Sequence, residues 1–327
     1  MMKLVAMAAT ASLASGLTRA AVDGPGGHKV ITFLRHGQAM HNINAERLKR
    51  EGCSHEVFLN AMKVDDVFDA PLTPTGVAQA REAASSAAAA AAAAQAELVV
   101  SSPLSRALDT ADLVFPPEST PDAKRCCVEE LREINGWLIN AQRKPASKLK
   151  KEYAHWDFDE FGLAEEGRFR SCPYGRRRAK LSSLPLLTRC SASRVAQHAD
   201  SLWTEALERE EDCTARAMRV IEMLWQRPER HICVVAHGGI FALLFNAGEP
   251  LDSQGAVERL GGVPAAADTA AAVAGLDAGP APTLRACPAS RKRFENCELR
   301  TVELRLVQPH AGGAANGQRE FEVRIVR

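Results

Sequence analysis

Apolar residues in this chain fall into short unbroken runs separated by longer stretches with helical spacing. Val30-Ile31-Thr32-Phe33-Leu34, Leu98-Val99-Val100 and His231-Ile232-Cys233-Val234-Val235-Ala236 are β-branched runs of the sort that strands adopt when both faces are covered. Val128–Leu131 is predicted as a further short strand or extended segment. Leu104, Leu108, Ala111 and Phe115 share one helical face, and Pro116-Pro117 ends that helix. Leu202 to Trp225 predicts a long amphipathic helix, with Leu202, Ala206, Cys213, Ala217, Ile221 and Leu224 at roughly helical spacing, and Ile240–Asn246 a short one. Thr73 or Thr75 caps a helix that continues through Val77, Ala80 and the alanine tract to about Gln95. The tract is a strong helix former with little to pack, which predicts a solvent-facing extension. Glu298–Leu306 and Glu320–Val326 alternate in polarity and read as edge strands.

Strands alternating with helices predict an α/β fold, here a three-layer α/β/α sandwich around a mostly parallel sheet. One domain over residues 28–327 accommodates these elements. Two segments show no sustained period and read as disordered insertions. Residues 167–197 carry seven Arg and one Lys with no acidic residue, and residues 254–290 are rich in Ala, Gly and Pro. Residues 1–27 stand apart: one early Lys and an apolar Leu4–Leu17 stretch fit a secretory signal, an organelle transit peptide or a disordered tail equally well. The compartment is therefore open between cytoplasmic and organellar or secretory. No other run approaches the ~20 apolar residues of a membrane span, so no membrane partner is expected.

Charge narrows the partners. Lys and Arg number 41 against 40 Asp and Glu, a net of +1, which offers no global field for nucleic acid. The nine cysteines form no C-x-x-C pair and no zinc-spaced cluster with histidine. No metal site and no cofactor are expected, and nothing in the pattern sets an oligomeric state.

In sheets of this kind ligands sit at the carboxyl ends of the strands. His36, Ser102 and His237 each follow directly on a strand run. In Arg35-His36-Gly37, a neutral imidazole is a competent phosphoryl acceptor and the adjacent guanidinium can hold two phosphoryl oxygens, although the tripeptide alone also fits a surface turn. Asn42 offers either an amide donor to phosphate or a helix cap. Arg106 falls in the first helical turn after a strand, where the dipole and free N–H groups favour an anion; a structural surface arginine is the alternative. His237 in Ala236-His237-Gly238-Gly239 repeats the strand–His–Gly arrangement and, beside His36, reads as a second phosphate contact rather than a satisfied core histidine. Glu133 supplies a carboxylate placed to serve as general acid.

Together these motifs resemble the histidine phosphatase superfamily, which includes cofactor-dependent phosphoglycerate mutases. The matching stretches are Arg35 to Asn42, Asp69 to Gly76, Ser101 to Thr110, Leu131-Arg132-Glu133 and Val234 to Gly239. Tyr153 to Phe158 and Asn296 to Arg300 are similar to the plant and algal phosphoglycerate mutase-like branch. The resemblance implies His36 as nucleophile, Arg35, Arg106 and His237 as a phosphate pocket that Asn42 joins, and Glu133 as proton donor, acting on a small phosphorylated substrate without a metal. It also marks departures from the mutases: Gln38-Ala39 stands where an acidic residue and Ser are usual, and Gly136-Trp137 replaces a longer substrate-contacting stretch. The expected activity is metal-independent phosphomonoester hydrolysis through a phosphohistidine. The alternatives are a phosphoglycerate-type mutase and a catalytically silent phospho-ligand-binding protein.

Overall fold

Strand parity sorts the side chains into two layers of core. The computed structural model of the protein describes residues 27–159, 200, 203–246, 283–286, 293–307 and 319–326. Seven strands lie among them: β1 (His28–Arg35), β2 (Leu98–Ser101), β3 (Lys124–Cys127), β4 (His231–Ala236), β5 (Thr283–Ala286), β6 (Leu299–Val307) and β7 (Glu320–Ile325). They form one sheet in the order β3-β2-β4-β1-β6-β7-β5. β3, β2, β4 and β1 run parallel, β6 is antiparallel to β1 and to β7, and β5 is parallel to β7.

Ile31, Phe33, Leu98, Val100, Ile232, Val234 and Cys126 bury on one face of the sheet, under α7 (Glu210–Gln226) and α8 (Gly238–Phe245). Leu34, Val99, Cys233, Val235 and Cys127 bury on the other. That second face is covered by α3 (Pro74–Ala84), α4 (Ala87–Gln95), α5 (Ser105–Val114) and α6 (Ala146–Glu152). Period-2 alternation within continuously apolar strands is what a sheet buried on both sides requires, and the α/β/α layering follows from it. Two further helices, α1 (Ile43–Arg50) and α2 (His55–Val64), fill the connection after β1.

Several elements differ from the sequence reading. β6 and β7 are not edges: β6 lies between β1 and β7, and β7 between β6 and β5. Their alternation reflects burial on one face, with Val302, Leu304, Phe321 and Val323 inward, which an interior strand can show as well as an edge. The alanine tract is a separate helix, broken from α3 at Ser85-Ser86, where the Ser86 hydroxyl caps Ala89 N–H. Ala87, Ala88, Ala90, Ala91 and Ala94 face solvent, but Ala89 and Ala93 bury against the sheet, since a methyl-only face lets the helix backbone come close. The third strand lies earlier than predicted, at Lys124–Cys127, and Glu129–Leu131 turns as a short 3₁₀ segment. The long helix begins at Glu210, because the preceding backbone pairs elsewhere: Glu208 N–H donates to the Asn135 carbonyl, and the Thr204 carbonyl accepts from Trp137 N–H. Residues 283–286, inside the 254–290 segment, belong to the sheet as β5. Residues 1–26, all of 167–197 and the remainder of 254–290 lie outside the described residues.

Candidate active site

Because β2, β4 and β1 are parallel neighbours, their carboxyl ends bring Ser102, His237 and His36 side by side. The His36 and His237 ring centroids are 5.0 Å apart, and the Ser102 hydroxyl lies 2.8 Å from His237 Nε2. The end of β1 is clamped from behind. His36 N–H donates to Ala236, Cys297 N–H to the Arg35 carbonyl, and the Asn296 amide to the His36 carbonyl at 3.2 Å. The Asn296 to Arg300 motif therefore backs the nucleophile candidate, whereas Tyr153 and Trp156 pack on α5 through Asp109 and Asp112.

His36 is buried and its Nδ1 lies 2.6 Å from the Gly37 carbonyl. A carbonyl only accepts, so Nδ1 carries the proton and Nε2 presents a lone pair. Burial first, then the Arg106 and Arg35 guanidinium groups, push the imidazole well below the usual histidine range. His237 and His41 are pushed down in the same way. His41 received no role from the sequence, yet it is buried, lines the same cavity as His36, and its ring centroid is 6.2 Å from that of His36.

Three buried neutral imidazoles tie stability to pH. In the unfolded chain they titrate near 6.5, so below that pH the unfolded state takes up protons that the folded state does not. Their contribution is complete above about 6.5 and is lost as pH falls toward the depressed folded values. The expected slope is up to about 1.4 kcal/mol per pH unit for each histidine. Urea midpoints measured between pH 7.5 and 5.5 check this, and His41→Phe should remove a share of the slope; a flat profile in the wild type would contradict it.

Arg35 and Arg106 are both buried, each with part of its guanidinium committed. Arg35 Nη1 donates to the Phe294 carbonyl and Nη2 to Glu46 at 2.5 Å; Arg106 Nη1 donates to the Asn140 carbonyl at 2.8 Å. The rest is unmatched: Arg35 Nε, Arg106 Nε and Nη2, His237 Nδ1 and His41 Nδ1 are buried without hydrogen-bond partners. Burial draws the Arg106 guanidinium down to about 10, against the pull of Asp69 and Glu133, so it remains charged at neutral pH. Each unmatched buried donor costs about 1–3 kcal/mol, a cost that an anion seated among them would offset.

Glu133 sits beside the start of α8. Its carboxylate accepts from Gly239 and Ile240 N–H of that helix, at 3.1 and 3.0 Å, and from Ile134 N–H. The two glycines after His237 make this fit possible. A Cβ on Gly239 would lie 2.3 Å from Glu133 Oε1, and one on Gly238 3.0 Å from Arg35 Nε. The segment carrying Glu133 is held by Arg216 of α7, which donates to the carbonyls of Glu130, Arg132 and Glu133.

Arg106 reaches the site, but the helix start that carries it is not open to an outside anion. Ser105 N–H and Oγ both donate to Asp69, at 2.9 and 2.5 Å, so the α5 N-terminus is already capped by a carboxylate of the chain itself. Both helix starts at the site thus hold internal acids, Asp69 and Glu133, which leaves side-chain cations for a ligand. Asn42 lines the cavity and is the residue before α1, but its Oδ1 accepts from Ala39 N–H rather than capping that helix. Backbone with positive φ, rare for L residues other than glycine, occurs at Asp69 (42°), Trp137 (57°) and Cys297 (56°). All three adjoin the site.

Arg35, His36, His41, Asn42 and Glu133 line a cavity of about 420 Å³, whereas Arg106 and His237 are fully buried and do not line it. Residues 31–180 match a family described as Histidine phosphatase superfamily (branch 1). Over that span, just under half of the chain, the protein is similar to that superfamily. The matched span contains Arg35, His36, Asn42, Arg106 and Glu133, with His237 beyond it. Phosphoglycerate mutase-like protein 1 of Arabidopsis thaliana is 29% identical over 227 residues, covering 67% of this chain and 71% of that protein. Phosphoglycerate mutase-like protein 2 of the same plant is 26% identical over 236 residues, covering 67% and 66%. A solved mycobacterial glucosyl-3-phosphoglycerate phosphatase superposes with a TM-score of 0.39 at 18% identity, covering 91% of this chain and 97% of that one. No group of three His, Cys, Asp or Glu able to hold a metal ion occurs among the described residues, and no described helix is long and apolar enough to cross a membrane.

Proposed function

We propose that the protein is a phosphatase that hydrolyses small phosphomonoesters through a phosphohistidine on His36. The observation that carries this reading is the set of unmatched, buried donors on Arg35, Arg106 and His237 grouped around a neutral His36. Guanidinium N–H groups without partners beside the end of β1 call for an oxyanion, and a lone pair beside them calls for an electrophile. In the first step His36 Nε2 attacks phosphorus in line, the ester P–O bond breaks, and Glu133 protonates the departing alkoxide. In the second, Glu133 takes a proton from water, the hydroxide attacks phosphorus, the P–N bond breaks and phosphate leaves. With the Ser102 hydroxyl donating to His237 Nε2, His237 Nδ1 carries a proton toward a phosphoryl oxygen. Arg35 and Arg106 offset the charge on the equatorial oxygens, the main source of catalysis in phosphoryl transfer.

Removing one such cation should be costly. Arg106→Ala is expected to lower kcat/KM by about 10²–10³-fold, the usual effect of losing one preorganised oxyanion donor. Arg106→Lys should recover little, because a point charge replaces a fork. Steady-state kinetics on a phosphomonoester check both, and a loss under tenfold would remove Arg106 from the pocket. The names of the plant relatives favour a second reading, return of the phosphoryl group to a bound acceptor. Release of inorganic phosphate at the rate of substrate loss supports the phosphatase, whereas phosphoryl retention in an isomeric product supports the mutase.

A further inference from the structure

The phosphate end accounts for only part of the cavity. A volume of about 420 Å³ far exceeds a phosphoryl group, so its remainder bears on the alcohol that departs. Away from Arg35 and His36 the wall is apolar, and it is drawn from four places in the chain: Met62 of α2, Ile134, Trp137 and Leu138 of the loop after Glu133, Leu207 before α7, and Leu243 of α8. The asparagines beside this wall each commit one amide atom to the protein itself. The Asn140 amide donates to Asp66 and its carbonyl accepts from Arg106; the Asn246 amide donates to the Ala242 carbonyl; Asn42 Oδ1 takes Ala39 N–H.

The remaining cations are engaged with one another's neighbours. Lys49 and Arg293 lie over the Phe58 ring, 5.3 and 5.1 Å from its centre, and Arg293 also reaches Glu46 at 3.3 Å. A polyhydroxylated or carboxylated leaving group lying along the Met62, Trp137, Leu207 and Leu243 side chains would bury its polar atoms against carbon, which is disfavoured. An apolar one would gain the full transfer energy of its surface.

We propose that the preferred substrate is a monoester of an apolar alcohol, held by the Met62–Trp137–Leu207–Leu243 wall. The proposal rests on the phosphatase reading, and the experiment keeps the two apart. Unbranched primary alkyl phosphates from ethyl to hexyl share nearly the same leaving-group chemistry, so their kcat/KM reports contact with the wall alone. It is expected to rise about threefold to fourfold per methylene, and hexyl phosphate should exceed glycerol 3-phosphate and 3-phosphoglycerate by more than tenfold. Met62→Gln and Leu207→Gln, at half-buried positions that tolerate a polar group, should each cut the hexyl-to-ethyl ratio several-fold. A flat alkyl series, or preference for 3-phosphoglycerate, overturns the proposal while leaving hydrolysis standing. If no ester is hydrolysed at all, the phosphatase reading fails instead. Calorimetry with hexyl- and ethylphosphonate then decides the wall by itself: tighter hexyl binding upholds it, and equal binding removes it.

Discussion

His36→Ala is expected to abolish turnover to the background rate, with no phosphate bound covalently to the variant. His36 alone combines a lone pair fixed by the Gly37 carbonyl, depression by burial and two guanidinium groups, and a place between Arg35 and His237. His41 and His237 are neutral imidazoles too, but His237 Nε2 is tied to Ser102 and the His41 ring centre is 6.2 Å away. Neither occupies the position of His36 Nε2 for in-line attack. Brief incubation with labelled substrate, quenched in alkali because phosphoramidates hydrolyse in acid, should trap label on His36 in the parent chain. The proposed anion site on Arg35, Arg106 and His237 should persist in the variant, so vanadate or phosphate binding, followed by protection against thermal unfolding, serves as the control for folding. Turnover within tenfold of the parent would remove His36 as nucleophile. A covalent phosphoryl group found on His41 would reassign that role.

The elements that place this site were legible in the chain because their signals are local. Continuous β-branched runs ending in His36 and His237 say where two neighbouring strands stop, and a helix after Ser102 says where Arg106 begins. What escaped reading depends on partners distant in sequence. Asp69 caps α5 from 36 positions away, and no periodicity announces a carboxylate that will meet another helix's first turn. The same holds for Asn140, fixed by Asp66 and in turn fixing Arg106, and for Glu46 and Arg293, which join across 247 positions. His41 was visible as a residue but not as a buried one, since a short turn after a motif carries no burial signal. The alanine tract misled for a related reason: composition reports helix propensity, whereas whether a methyl face is covered depends on what the sheet presents to it. One local signal does bear on the site. Paired glycines after a strand-terminal histidine mark close approach, here by Arg35 and Glu133.

Glu133→Gln is expected to slow hydrolysis of alkyl phosphates by about 10²–10⁴-fold, the usual contribution of a positioned general acid. Aryl esters with good leaving groups, which depart without a proton, should lose much less. The amide is nearly isosteric but keeps only one oxygen, so one backbone N–H loses its acceptor, and the alkyl-to-aryl comparison rather than the absolute loss isolates proton transfer. Glu129 and Glu130 are poor substitutes. Glu129 is paired with the buried Arg132 and Arg143, and neither Glu129 nor Glu130 lines the cavity. Gly239→Ala provides a second test that removes no chemical group. Its methyl would overlap Glu133 Oε1, 2.3 Å from the ideal Cβ, so the carboxylate must move off the helix start. If Glu133 is the acid, Gly239→Ala should reproduce the alkyl-over-aryl bias of Glu133→Gln in milder form, with phosphate affinity little changed. A structural role for Glu133 predicts something else: equal losses for alkyl and aryl substrates, accompanied by weaker vanadate binding. Brønsted plots of kcat/KM against leaving-group pKa separate the two, because loss of the acid steepens the slope, whereas damage to the pocket lowers the whole line.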